Sequence, residues 1–262
     1  MNSPTVPPSG SLAGKKGLIV GIANDQSIAY GCARAMQSQG ASLAITYLNA
    51  KAEPFVRPLA EQLEADIILP LDVEAPGQLE ALFAHIEKRW GKLDFVLHAI
   101  AFAPMADLQG RMVDCSAEGF ARAMDVSCHS LIRMARLAEP LMADGGTLVT
   151  MSYYGAQKVI DHYGIMGPVK AALESTVRYL AAELGPAGIR VHAVSPGPIK
   201  TRAASGIGQF EELLQEAASR APQHQLVTIG DVGAVTAMLC SDAARALTGN
   251  VIFVDGGFHI MG

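Results

Sequence analysis

Short apolar runs separated by amphipathic stretches set the rhythm of this chain. Gly17–Gly21, Ser42–Thr46, Ile67–Leu71, Asp94–Ile100, Gly146–Met151, Ile189–Val194 and Val251–Val254 are each four to eight residues long and nearly continuous in apolar character, which reads as strands buried on both faces. Between them lie segments with helical spacing. The clearest is Gly77–Trp90, with Leu79, Leu82, Phe83 and Ile86 on one stripe. Helices are also predicted over Ser27–Gln39, Pro54–Glu64, Ser116–Met142, Ala171–Leu184 and Thr228–Leu239; Gly40 stops the first of these. Strands alternating with helices at this spacing predict βαβ units. The expected fold is α/β, a single-domain Rossmann-like doubly wound parallel sheet of seven strands with helices on both faces.

Composition narrows the function. The chain has 262 residues, enough for one large core, and a net charge of −5 with no basic stripe to attract nucleic acid. No apolar run reaches the length of a membrane span, so the mean hydropathy of +0.25 reflects buried strands. The Pro- and Ser-rich start is expected to form a disordered tail over residues 1–14, ahead of one catalytic domain over 15–262. Cys32, Cys115, Cys128 and Cys240 form no C-x-x-C pair, as expected of reduced thiols in the cytoplasm, and the seven histidines show no metal-ligand spacing.

Candidate chemistry concentrates between Tyr153 and Lys170. Tyr163 offers a phenol and Lys170 an ammonium seven positions later, about two helical turns, so that both can share one helical face. A nearby cation favours the phenolate, which makes the phenol a better proton donor. Tyr153 stands at the carboxyl end of the fifth strand, where open parallel sheets place their chemistry. His162 reads as a solvated loop residue. At the other end, Gly21 closes the first strand without a full G-x-G-x-x-G, and a helix opening at Ser27 directs free N–H groups toward a pyrophosphate. After the second strand, Tyr47-Leu48-Asn49-Ala50-Lys51 contains no acid for a ribose and no Arg cluster for a 2′-phosphate, leaving Lys51 as the nearby cation. Asp72 either accompanies Val73 at an adenine ring or caps the next helix.

Four motifs now stand together: Ser152-Tyr153-Tyr154-Gly155-Ala156, Tyr163-x-x-Met166-x-x-x-Lys170, Ser195-Pro-Gly-Pro-Ile-Lys-Thr201 and Asp255-Gly-Gly257. From Lys15 to His259 the chain resembles the enoyl-acyl-carrier-protein reductases of bacterial fatty-acid synthesis, within the short-chain dehydrogenase/reductase superfamily. Six residues between Tyr163 and Lys170, and a second tyrosine near Ser152, separate this family from most of the superfamily. The resemblance implies that Gly21, Ser27, Ile28, Asp72, Val73, Ile100 and Lys170 line an NAD(P)H site. It implies that Ile199, Lys200, Thr201, Arg202 and Ala203 close over the nicotinamide and its phosphates, and that Tyr153, Tyr163 and Lys170 form the catalytic set. Ala103, Tyr153, Met166, Ile207 and Phe210 are implied to touch substrate.

The activity so implied is reduction of trans-2-enoyl thioesters, carried on acyl carrier protein or coenzyme A, by NADH in preference to NADPH. A homotetramer is implied as well. The alternative is a superfamily reductase acting on another enoyl or carbonyl substrate. Three departures from the family pattern stand out, the first being Leu48 at a position where the family often has Gln facing the adenosine ribose. Pro168 suits a first helical turn, so the helix is expected to start near Gly167, leaving Tyr163 on the loop before it. The expected lid, 201–222, carries Glu211, Glu212 and Glu216 where relatives can carry basic residues. Its apolar members Ile207, Phe210, Leu213 and Leu214 either cover an acyl chain or pack on the core.

Overall fold

The structure, a computed structural model, describes residues 11–201 and 210–261. Seven strands form one sheet: β1 (Lys16–Val20), β2 (Ser42–Tyr47), β3 (Ile67–Pro70), β4 (Phe95–His98), β5 (Gly146–Met151), β6 (Ile189–Pro196) and β7 (Val251–Val254). All pairings are parallel, in the order β3-β2-β1-β4-β5-β6-β7. The chain therefore starts in the middle of the sheet, runs to one edge, and crosses back beyond β1 to build the other half. The connections diverge at the carboxyl ends of β1 and β4, which opens a crevice there.

Side chains alternate across the pleat. Leu18, Val20 and Val96 join the core beneath α3 (Gln78–Trp90), α6 (Ser130–Ala138) and α7 (Met166–Leu184). Ile19, Phe95 and Leu97 join the core beneath α1 (Ile28–Ser38), α2 (Glu53–Gln62) and α9 (Ile229–Cys240). A strand sandwiched between two cores has no polar face, which is why the strands read as unbroken apolar runs. Three further helices, α4 (Met105–Gln109), α5 (Ala117–Met124) and α8 (Phe210–Arg220), lie at the carboxyl end of the sheet or lead into it.

Glycine decides how α1 meets α9. A Cβ on Gly31 would lie 2.2 Å from the Ile229 carbonyl oxygen, and one on Gly233 would lie 2.4 Å from that of Gly31. The two helices touch backbone to backbone, a contact no side chain can enter.

Several expectations shift. Leu12, assigned to the tail, is fully buried; its N–H donates to Gln39, and that of Gly14 donates to Gly40, so residues 11–14 belong to the fold. The rest of the tail, 1–10, lies outside the described residues. The single helix expected over Ser116–Met142 is broken by a π turn at Asp125–His129. There the Ser127 hydroxyl accepts from the Phe102 N–H at 2.9 Å and donates to its carbonyl at 3.2 Å, tying the helix to the loop after β4. α7 begins at Met166, five residues before the Ala171 read from the apolar spacing and one before the Gly167 suggested by Pro168, which sits in its first turn, where a missing N–H breaks no helical bond.

Candidate active site

A cavity of about 480 Å3 occupies the crevice. It is walled by the segments that follow β1, β4, β5 and β6, together with the start of α7. Each wall comes from the carboxyl end of a strand, so the sheet itself fixes their spacing.

The first wall is shaped by Gly21, whose φ of +118° lies where side chains are rarely tolerated; a Cβ would meet the Ala99 carbonyl oxygen at 2.1 Å. Ser27 stands at the start of α1 but does not cap it. Its hydroxyl oxygen accepts from the Ala23 and Asn24 N–H groups at 3.0 and 3.1 Å, which closes the loop on itself. The Tyr30 and Gly31 N–H groups donate to the Ser27 carbonyl, whereas those of Ile28 and Ala29 have no acceptor among the described residues, and Ser27, Ile28 and Ala29 all face the cavity. This cradle fits the pyrophosphate of a dinucleotide.

Ile100, Ala103, Met166, Ile199 and Thr201 also line the cavity. Asp72 and Val73 do not: they follow β3, two strands away from β1. Asp72 Oδ1 accepts from the Glu74 N–H within the turn, and Val73 is buried with its carbonyl held by Arg133. Lys200 is exposed and ion-paired with Glu211 on α8 rather than facing the cavity. Arg202, Ala203 and Ile207 lie outside the described residues, as does the side chain of Phe210, the first residue of α8. Along α8, Leu214 is buried, whereas Leu213 lines a second cavity of about 360 Å3 between this helix and the 154–162 loop. The exposed His162 lines that second cavity too.

At the reactive end, the rings of Tyr153 and Tyr163 meet edge to face, centroids 4.9 Å apart, and both line the cavity with Lys170. Tyr163 precedes α7, its carbonyl accepting from the Met166 N–H, so the shared helical face is replaced by a loop that brings phenol and ammonium into one cavity. The charge relation differs as well. Burial pushes the Tyr163 phenol well above its ordinary range, with Tyr153 and Glu174 acting in the same direction, so it stays a neutral O–H donor rather than tending to phenolate. Tyr153 is raised too, by burial and then by Glu216, and its hydroxyl has no partner among the described residues. Lys170 is 5% exposed and donates to the Met151 carbonyl at 2.7 Å. Burial pulls its ammonium down to about 8.

Sequence reasoning missed the polar groups behind this wall. His98 bridges Thr150 Oγ1 (2.8 Å) and Ser130 Oγ (2.7 Å), and Ser130 donates to the Val126 carbonyl. Ser130 thus accepts from His98, and His98 accepts from Thr150; the imidazole is neutral, pushed down to about 3 by burial and by Lys170. Glu174 accepts from Ser152 Oγ at 2.6 Å, and its i, i+4 spacing from Lys170 was the one available signal. Arg57 on α2 was also passed over. Its guanidinium lies 5.8 Å from the Tyr47 ring centre at the end of β2 and is held by Glu53 through both Nε and Nη2.

A parallel sheet that opens at β1 and β4, a helix-start cradle on one side and a tyrosine–lysine pair on the other define a short-chain dehydrogenase/reductase. Comparison with known proteins narrows this. Residues 21–259 match the family model described as enoyl-(acyl carrier protein) reductase. The chain is 47% identical over 254 residues to the enoyl-[acyl-carrier-protein] reductase [NADH] of Aquifex aeolicus, covering 97% of this chain and 94% of that one. It is 46% identical to the Rickettsia felis protein of that description, covering 97% and 98%. The Aquifex crystal structure superposes with a TM-score of 0.92 over 96% of this chain and 99% of that chain, at 47% identity. The Anaplasma phagocytophilum reductase, solved in complex with NAD, gives 0.92 at 45% identity, covering 96% of each chain. The chain belongs to the enoyl-acyl-carrier-protein reductase family.

Proposed function

We infer that this chain reduces trans-2-enoyl thioesters to saturated acyl thioesters in fatty-acid synthesis, with NADH as reductant and acyl carrier protein as the thioester's carrier. The observation that carries the assignment of roles is the meeting of Tyr153, Tyr163 and Lys170 in one largely apolar cavity whose far wall is the α1 cradle. NADH, when bound, supplies the hydride that adds to the β-carbon of the enoyl thioester. Every other contribution comes from the chain.

The start of α1 holds the pyrophosphate, and Gly21 lets the chain approach it closely. Lys170 has three N–H donors and gives one to Met151, which leaves donors for the ribose hydroxyls. As negative charge develops on the thioester oxygen, Tyr163 donates its O–H to that atom. A phenol held neutral by burial keeps this proton across the working pH range, and its donation strengthens most where the charge is greatest. The unpartnered Tyr153 hydroxyl provides a second donor at the acyl site. Protonation of the α-carbon completes the saturated chain.

Ala103 and Met166, which line the cavity, shape the acyl site; Asp72 and Val73, outside that cavity after β3, are assigned to the adenine end, and the lid is assigned to 201–222, of which 202–209 lie outside the described residues. Coenzyme A thioesters serve as alternative substrates. The family pattern supports a homotetramer, and four free cysteines accord with the reducing cytoplasm. The test is loss of NADH absorbance with crotonyl and longer trans-2-enoyl thioesters, set against ketones and a no-acceptor control. Turnover of ketones alone would move the assignment to a carbonyl reductase.

A further inference from the structure

Behind the tyrosine–lysine wall lies a buried carboxylate that the mechanism above does not use. Glu174 is 5% exposed and sits on α7, one turn after Lys170. Its Oε1 accepts from the Ser152 hydroxyl at 2.6 Å and its Oε2 from the Gln157 amide at 3.3 Å. Ser152 lies between two residues of the site. Met151 before it offers the carbonyl that accepts the hydrogen bond from Lys170, and Tyr153 after it presents the ring that meets Tyr163. A single side chain of α7 therefore grips the end of β5 at the position where that strand hands its residues to the cavity.

The same carboxylate lies one helical turn along α7 from a buried cation. Three titratable groups bear on Lys170: Cys128 from the π turn, Glu174 from its own helix and His98 from β4. His98 is neutral in its hydroxyl chain. Cys128 shares a contact with Thr176 Oγ1 at 3.4 Å, and a thiol contributes negative charge only after losing its proton. The carboxylate is Glu174. Burial drives Lys170 toward the neutral amine, and Cys128 and Glu174 oppose it.

We propose that Glu174 is a positioning residue for this site, fixing the Met151–Tyr153 segment through Ser152 and holding Lys170 in its ammonium form. Two functions follow from one group, and they separate by substitution. Glu174→Gln keeps an acceptor for Ser152 and removes the charge. Ser152→Ala keeps the charge and removes the grip. Glu174→Asp keeps the charge and shortens the reach. The inference rests on the reading that Lys170 serves the cofactor, but its first readout does not require that reading.

That readout is the titration of Lys170 itself, followed by NMR of lysine labelled at 13Cε in the protein without nucleotide, with the resonance assigned by its loss in Lys170→Met. The expected midpoint in Glu174→Gln lies at least about half a pH unit below the wild type. In Glu174→Asp and Ser152→Ala it stays at the wild-type value. Ser152→Ala is expected to lose kcat several-fold at unchanged NADH affinity, because Tyr153 is no longer fixed. Near-UV circular dichroism verifies folding, and Glu174→Ala, which also removes the charge, carries the same expected and overturning outcomes if the amide variant does not fold. A midpoint in Glu174→Gln equal to wild type, or one lowered equally in Glu174→Asp, overturns the proposal. If Lys170→Met binds NADH as wild type does, the cofactor reading of Lys170 fails while the titration result stands.

Discussion

Replacing Lys170 by Met should make the protein more stable and less useful. In the fold the ammonium sits at about 8, against 10.5 for an unperturbed lysine, and the gap corresponds to about 3 kcal/mol favouring a neutral side chain there at pH 7. The attraction of Glu174 is already contained in that value. Against it stands the loss of the bond to the Met151 carbonyl, about 1–2 kcal/mol. The net gain is about 1–2 kcal/mol, a rise in Tm of roughly 2–8 °C for a domain of this size. The pH dependence has a definite sign. Below about 8, folded and unfolded chains both carry the proton, and the penalty is present in full. Between about 8 and 10.5 only the unfolded chain binds it, so wild-type stability from this group rises with pH and the advantage of the variant shrinks. Thermal unfolding of both proteins from pH 6.5 to 10 measures this directly. A variant less stable than wild type at pH 7, or an advantage that stays constant up to pH 10, refutes the reasoning. NADH affinity, followed by titration of cofactor fluorescence, should fall in the same variant.

Tyr163→Phe removes a donor needed mainly as charge develops, so kcat should drop about 10–1000-fold while NADH affinity stays near wild type; an unchanged kcat removes this phenol from the mechanism. NADH should serve at least as well as NADPH, because Glu53 occupies Arg57, the guanidinium near the end of β2, through both Nε and Nη2. A tenfold advantage in kcat/KM for NADPH would reveal a phosphate site elsewhere. Changing Glu211 and Glu212 together to Lys should raise kcat/KM for the acyl-carrier-protein substrate roughly 3–10-fold at low salt, where screening is weak, and leave a short synthetic thioester unaffected. Equal effects on both substrates place the carrier away from α8.

The sheet was legible because parallel strands buried on both faces leave a plain trace: short apolar runs with turn residues between them. Their edges moved by one or two residues, as at Asp94–Ile100, which contracts to Phe95–His98. The π turn at Asp125–His129 left no trace, since a single extra residue per turn preserves apolar spacing on either side. At the site, residue types and spacing marked Tyr153, Tyr163 and Lys170, and all three reach one cavity. Their electrostatics were not legible. A neighbouring cation argues for an acidic phenol, but burial, with Tyr153 and Glu174, raises Tyr163 instead, and that burial depends on residues such as Ala123 and Ile165 that carry no chemical signal. Lys200 shows the converse: a cation in a cofactor motif, drawn off by Glu211 eleven positions away.

The seat of α1 on α9 joins residues about two hundred positions apart, Gly31 to Gly233. On the ribosome α1 emerges early, and the helix it must touch is among the last elements made. Until α9 arrives, the face of α1 carrying Cys32, Ala33 and Met36 lacks part of its cover, although every residue of the tyrosine–lysine wall has already been synthesised. Contacts this distant along the chain slow folding and prolong the exposure of apolar surface. A chain truncated after β6 would hold Tyr153, Tyr163 and Lys170 with its nucleotide cradle unlocked, and the contact that locks it depends on two glycines rather than on any residue of the site.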